Sequence, residues 1–227
     1  LSETTATVCF YPEIGFQFGS IGDVMPDVQV RIDPENSEIL VKGKTVMSGY
    51  YNKPAENEKA FTEDGYFRTG DAGRMEGNTL FFTERIKDLY KTSNGKYIAP
   101  QAIEMVMSGD QYIEQIAVIG DQRKFVSALI VPAYSLLEKY AEEKGLAVGS
   151  REELVRNKEV LRLIETHIEE NQKNLASYEK IKRFTLLSEP FTMGSELTDT
   201  LKLRRSVILK KYADSIEKMY EEASNPS

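Results

Sequence analysis

The sequence predicts an α+β chain in two parts, a β-rich stretch over residues 1–86 followed by an α+β stretch over 87–227. Three observations carry this. Short runs of alternating polarity fill residues 21–51, apolar residues recur at helical spacing beyond Pro100, and two apolar runs of strand length lie among the helical segments.

Taken in order, Val28-Gln29-Val30-Arg31-Ile32 and Glu38-Ile39-Leu40-Val41-Lys42 alternate about Asp33-Pro34-Glu35-Asn36, as the strands of a hairpin with one wet face do. Residues 52–64 predict a short helix or turn after Pro54, Gly65–Asp71 a turn-rich segment, and Thr79–Thr83 a strand. The pattern then changes. Pro100–Met107 opens a helix with proline in its first turn. Ile116–Gly120 and Val126–Pro132 predict paired strands, and 135–144 and 150–175 amphipathic helices, with Leu154, Leu161, Ile164, Ile168 and Leu175 on one face. Phe184–Leu187 adds a strand and Ser206–Ala223 a final helix, with no internal repeat.

At 227 residues the chain can bury a real core, as one large domain or two modest ones. A net charge of -7 and a pI near 5.1 give no dominant basic face, so nucleic acid is not an expected partner. No apolar run approaches the roughly 20 residues that cross a bilayer. The opening Leu1-Ser2-Glu3-Thr4 lacks a signal-like pattern, and a lone cysteine, Cys9, cannot form an internal disulfide, so a cytoplasmic location is expected. The first residue is not methionine and functional-looking residues begin at once, so the chain reads as a piece of something longer.

Five segments suggest chemistry: Ser2-Glu3-Thr4, Thr69-Gly70-Asp71, Arg85-Ile86-Lys87-Asp88, Thr92-Ser93-Asn94-Gly95-Lys96, and Leu197-Thr198-Asp199-Thr200-Leu201-Lys202-Leu203-Arg204-Arg205. Hydroxyls beside carboxylates suit a magnesium-phosphate group, and a glycine loop lets backbone approach a ligand. Each is weak singly; their order is not.

Together they resemble the motif series of the adenylate-forming superfamily, which includes acyl-CoA synthetases, peptide-synthetase adenylation domains and firefly luciferase. Leu1–Thr5 looks like the end of its Tyr-Gly-x-Ser/Thr-Glu motif. Glu38–Gly43 through Gly49-Tyr50 to Pro54 looks like the Gly-Glu-Leu…Gly-Tyr-x-x-x-Pro stretch, with Ser37 where glycine is usual, and Tyr66–Asp71 matches Tyr/Trp-x-x-Thr-Gly-Asp. Glu84-Arg85-Ile86-Lys87-Asp88 to Glu104 resembles the hinge motif, and Thr200-Leu201-Lys202 stands where peptide synthetases have Gly-Lys. The wording of the last two is similar to the long-chain acyl-CoA synthetase branch.

The resemblance implies that residues 1–86 end a large adenylation domain and that 87–227 form a small mobile C-terminal domain. It implies ATP/AMP, Mg2+ and coenzyme A as cofactors and substrates, with the fatty acid and CoA held through an N-terminal domain not in this sequence. It also leaves room for peripheral membrane association of the longer chain. Lys202 is the implied catalytic lysine, against the α-phosphate and the acid's carboxylate. Asp71 would take the ribose hydroxyls, Arg85 a further nucleotide contact, Ser2 and Thr4 the phosphates, and Glu3 the Mg2+. Lys87 is the implied hinge, while Lys91 and Gly95 lie on the face for thioester formation.

Plainer readings stand beside these. Lys202, Arg204 and Arg205 could form a solvated basic patch, Asp71 a turn, Arg85 a surface ion pair, and Gly95 a hairpin turn, since Asn-Gly is a strong hairpin signal. Ser2 and Glu3, at a terminus, are expected to fray. His167 is expected on the surface and Cys9 to be inert. No Ser/Thr/Gly-rich phosphate loop and no acid pocket is found in the sequence, so this piece is expected to be inactive alone. A non-catalytic interaction module, or an adenylation domain for another acid, remains an alternative.

Overall fold

A computed structural model describes residues 1–147 and 149–221. They form two compact units, one ending at Leu89 and the other beginning at Tyr90.

The first unit is an antiparallel sheet. After a single 3-10 turn at Ser2–Thr4 come β1 (Cys9–Phe10), β2 (Gly22–Val24), β3 (Val28–Ile32) and β4 (Glu38–Gly43), then α1 (Pro54–Ala60), β5 (Phe67–Glu76) and β6 (Thr79–Arg85). Their spatial order is β1-β2-β6-β5-β4-β3. The β3–β4 hairpin pairs Val30 with Val41 and Ile32 with Ile39, so the alternation read from the sequence lays Val28, Ile39, Val41, Val24 and Leu80 into one core. Proline at its N-terminus starts α1, where a missing N–H costs nothing. Of the expected turn-rich segment Gly65–Asp71, the part from Phe67 on is instead the start of β5, a ten-residue strand. Its glycine supplies a positive φ of 71° within the strand, so a turn signal became a local irregularity in the ladder.

The second unit begins with a two-stranded hairpin, β7 (Tyr90–Lys91) and β8 (Tyr97–Ile98), followed by α2 (Pro100–Met107), β9 (Ile113–Ile119) and β10 (Val126–Pro132). A crossover of α3 (Tyr134–Glu143), α4 (Arg151–Leu154) and α5 (Lys158–Asn171) leads to β11 (Ile181–Leu186), and α6 (Arg205–Lys211) and α7 (Ala213–Glu221) follow. In the three-stranded sheet β10 is central, antiparallel to β9 and parallel to β11. Every residue of β10 is buried, which explains why its run is apolar but for Ser127, whose hydroxyl bonds the Tyr220 hydroxyl. Helices pack on it through faces spaced three and four apart: Pro100, Ile103 and Met107 from α2, Tyr134, Leu137 and Ala141 from α3.

The long amphipathic stretch over 150–175 divides in two. Ser150 caps α4 by accepting from Glu153 N, and Asn157 caps α5 by accepting from Glu159 N at 2.9 Å. The buried face of α5 is Val160, Ile164 and Ile168, each contributing about 2 kcal/mol of burial, while Leu161 is only partly buried and Leu175 lies past the helix end. The final helix is likewise two helices, broken at Tyr212, and its expected last residues, Glu222 and Ala223, lie outside the described residues.

Candidate functional site

In the first unit the site is built on the irregular part of β5. Pairing with β4 shifts register between Glu38 and Leu40, which leaves the Gly70 N–H without a ladder acceptor. The Glu38 side chain takes that place: Oε1 accepts from Gly70 N at 3.0 Å and Oε2 from Arg68 at 2.9 Å. Thr69 Oγ1 donates to Ile39 O at 2.7 Å and accepts from Asp71 N at 3.1 Å. The Thr69-Gly70-Asp71 segment is thus held at each residue.

Two hollows flank it. An open depression of about 430 Å³ is lined by Glu3, Tyr50, Lys59, Thr69, Gly70 and Arg85. A second, of about 320 Å³, has Thr69 and Asp71 against Cys9, Ile21, Val41 and Leu80. Asp71 and Arg85 face each other across β5 and β6, with Arg85 Nε 3.0 Å from Asp71 Oδ1. That contact is an ion pair without hydrogen-bond alignment, and Oδ1, enclosed, accepts no hydrogen bond. Burial, and after it the nearby Asp23, pushes the Cys9 thiol up to about 11, which keeps it protonated and unreactive at neutral pH.

Ser2 and Glu3 do not fray. Met47 N donates to Glu3 O at 2.8 Å, Thr5 Oγ1 to Thr45 O at 2.8 Å, and the Tyr50 hydroxyl to Glu3 Oε1 at 3.1 Å. Contacts 40 to 47 residues away in sequence tie the terminus down, which local reasoning could not see. Glu3 reaches the depression beside Thr69, whereas Ser2 is exposed and Thr4 is fully buried, its hydroxyl donating to Leu1 O. Lys87 lies exposed in a 3-10 turn, Ile86–Asp88, at the end of this unit.

In the second unit Lys202 sits on a tight loop closed by an antiparallel bridge between Leu197 and Leu203. Thr198 N donates to Lys202 O at 2.9 Å and Lys202 N to Thr198 Oγ1 at 3.1 Å, and Leu201 adopts φ 60° to complete the turn. The neighbouring cations are committed. Arg204 donates to the Gly194 and Ser195 carbonyls at 3.0 and 3.1 Å, and Arg205 to both oxygens of Glu104. Lys211 donates to the wholly buried Glu196, which also accepts from Thr192 N at 3.1 Å. Burial would raise the Glu196 carboxyl, but Lys211 and the Thr192 N–H outweigh it and hold it down to about 2. Lys202 is exposed, and its side chain makes no hydrogen bond or ion pair among the described residues, so the three basic residues are not one solvated patch.

The Gly95 loop is a hairpin turn between β7 and β8, with Gly95 at φ 77° and its N–H donating to Thr92 O at 2.9 Å. Ser93 N donates to Arg123 O, and Lys91 N to Asp121 Oδ1 at 3.2 Å, which lays the hairpin on the β9–β10 turn. A Cβ at Gly95 would meet open space.

His167 is not a plain surface residue. Its Nδ1 lies 2.8 Å from Asp110 Oδ2, which also accepts from Asn171 Nδ2 at 2.8 Å, and its ring stands edge-on to Tyr112. This clamp fixes α5 to the loop before β9. Sequence reasoning also passed over Glu38, Glu104 and Glu196 as positioning groups. The signal available was a carboxylate inside an apolar or motif-rich run, a costly placement unless partnered.

Compared with known proteins, residues 87–224 match the family described as the AMP-binding enzyme C-terminal domain. The chain is 32% identical over 97% of its length to a long-chain-fatty-acid--CoA ligase, FadD15, of Mycobacterium bovis, covering 37% of it. It is 31% identical over 96% of its length to human long-chain-fatty-acid--CoA ligase 1, covering 33% of that protein. Among solved structures, the adenylation domain of a carboxylate reductase from Mycobacterium chelonae is similar at 27% identity with a TM-score of 0.59, over 86% of this chain and 31% of that one. The chain therefore spans about a third of the length of the curated relatives it matches.

Proposed function

Because the chain belongs to the AMP-binding enzyme C-terminal domain family of adenylate-forming proteins, we propose that it serves a fatty acid:CoA ligase of the long-chain type, as part of a longer chain. In the first half-reaction a carboxylate oxygen of the acid bonds to the α-phosphorus of ATP and pyrophosphate leaves, giving acyl-AMP. In the second the CoA thiolate attacks the acyl carbon, a C–S bond forms and AMP leaves.

The observation that carries this reading is Lys202. Arg204, Arg205 and Lys211 are each tied to carbonyls or carboxylates, while the exposed Lys202 side chain alone of these four makes no hydrogen bond or ion pair among the described residues, on a loop pinned at both ends. An uncommitted ammonium carried on a pinned loop suits the charge that grows on the α-phosphate and carboxylate during transfer. Asp71 fits a ribose, because its enclosed Oδ1 is an acceptor with no hydrogen bond of its own. Displacement of Arg85, 57% exposed, would uncover that oxygen and leave the guanidinium for a nucleotide phosphate. Glu3 offers Mg2+ one hard oxygen. Among the described residues no group of three or more His, Cys, Asp or Glu could hold a metal, so the ion would keep phosphate and water ligands.

Lys87 is the proposed pivot, and Lys91 and Gly95 belong to the face used with CoA. The 227-residue chain by itself is expected to be inactive, and a cytoplasmic site of action, with peripheral attachment of the longer protein to membranes, is part of the same proposal.

The test is Lys202→Ala in the full-length protein. ATP–pyrophosphate exchange should fall at least about a hundredfold, while thioester formation from supplied acyl-AMP is retained; unchanged exchange would overturn the assignment. Running the exchange with a panel of acids decides between a long-chain acid and the other acids that relatives of this fold accept.

A further inference from the structure

We propose that Glu38 is a positioning residue for nucleotide binding, acting on the ribose through Asp71. The inference rests on the reading of Asp71 as the ribose ligand and goes beyond it to ask what aims that carboxylate. The relevant chain of contacts lies within the first unit.

Gly70 has φ 71°, a conformation that glycine accepts without strain, and a Cβ there would meet nothing within 4 Å. The glycine is therefore needed for its backbone angle and not for space. That angle breaks the β4–β5 ladder and leaves its N–H in search of an acceptor inside the protein, where an unpaired donor is costly. Glu38, only 5% exposed, meets the need with Oε1 at 3.0 Å. Its other oxygen takes Arg68 at 2.9 Å, and Asp33 stands 3.7 Å from the same guanidinium. A buried carboxylate between an N–H and a guanidinium has both oxygens engaged and no freedom to turn. Asp71 follows Gly70 directly, and its N–H is fixed by Thr69 Oγ1. The direction in which the Asp71 carboxylate points is thus set by Glu38 on one side and by Thr69 on the other.

Glu38 does not line the hollow that holds Asp71; it lines the neighbouring depression with Glu3 and Arg85, where its two oxygens are spent on Gly70 and Arg68, so removing it should alter affinity for the ribose and leave the chemical step intact. Glu38→Gln keeps an acceptor for Gly70 and loses the charge that holds Arg68, and Glu38→Ala loses both. In the full-length protein, KM and kcat are measured for ATP and for 2′,3′-dideoxy-ATP, with thermal melting of each variant. Glu38→Ala should raise KM for ATP about tenfold, with kcat changed less than about twofold, and should leave KM for the dideoxy nucleotide unchanged. Glu38→Gln, the variant less prone to unfold, should show the same selectivity at a smaller size.

Equal losses with both nucleotides, or no loss with either, would overturn the positioning role. Asp71→Ala separates this from the underlying reading. Should that variant still discriminate between the two nucleotides as the native protein does, the ribose assignment falls, and the Glu38 proposal with it.

Discussion

Arg205 grips Glu104 with two hydrogen bonds, at 2.8 and 3.0 Å, and the same carboxylate accepts from Val118 N at 2.8 Å. One ion pair therefore joins α6, three residues beyond Lys202, to α2 and β9. Both side chains are largely enclosed, 23% and 13% exposed, so the pair is shielded from solvent screening. Removing one partner strands a charge, and Glu104→Ala should cost about 3 kcal/mol in urea unfolding. Arg205→Lys exchanges a two-pronged donor for a point charge and should cost roughly 1–2 kcal/mol. Equal stability of native and Glu104→Ala proteins would show that the clamp does not hold.

Leu201 is a stabilising site left unused. It adopts φ 60° and is 65% exposed, so its side chain contributes little packing against the backbone cost of a left-handed conformation. Glycine removes that cost and gives up some unfolded-state restriction, for a net gain of about 0.5–1 kcal/mol. The check is a rise in melting temperature for Leu201→Gly.

Gly95 should behave in the opposite way. At φ 77° with open space around it, alanine would fit sterically and still strain the backbone, costing about 1 kcal/mol. In single-turnover assays of the full-length protein, Gly95→Val should slow thioester formation from acyl-AMP more than pyrophosphate exchange. Equal slowing of the two steps would remove Gly95 from the CoA face.

Acid stability should depend on Glu196. Its folded value is held at about 2 against an ordinary 4.5, so its contribution is complete above pH 4.5. As pH falls through that value the unfolded chain takes up a proton that the folded chain refuses, and stability is lost progressively down to about pH 2. Lys211 carries the reverse sign: its value is raised above 10.5 chiefly by the hydrogen bond to Glu196, so its contribution is complete below that pH and is lost above it. Urea titrations of Glu196→Gln across both windows should show a flatter dependence than those of the native protein.

How much of this was legible in sequence depends on the range of the interaction involved. The β3–β4 hairpin, the all-buried β10, and the proline starts of α1 and α2 follow from periodicity and local backbone rules, and appear where those rules place them. The stretch 150–175 carried its own break as well, in the capping side chain of Asn157, though the apolar periodicity running through it masked the signal. His167 was misread because its partner, Asp110, lies 57 residues away on the other side of the sheet's first long strand.

The sequence by itself determined the α+β class, which rests on local periodicity, and the motif order, whose resemblance to the adenylate-forming series singled out Asp71, Gly95 and Lys202 as the residues to watch. Only the tertiary structure decided which charges are spent. Glu38 closes on Gly70 and Arg68, Glu104 on Arg205, and Glu196 on Lys211, across separations of 15 to 101 residues. Lys202 emerges as an uncommitted cation beside them because a buried carboxylate must find its partners wherever the fold brings them, and no local pattern records where that will be.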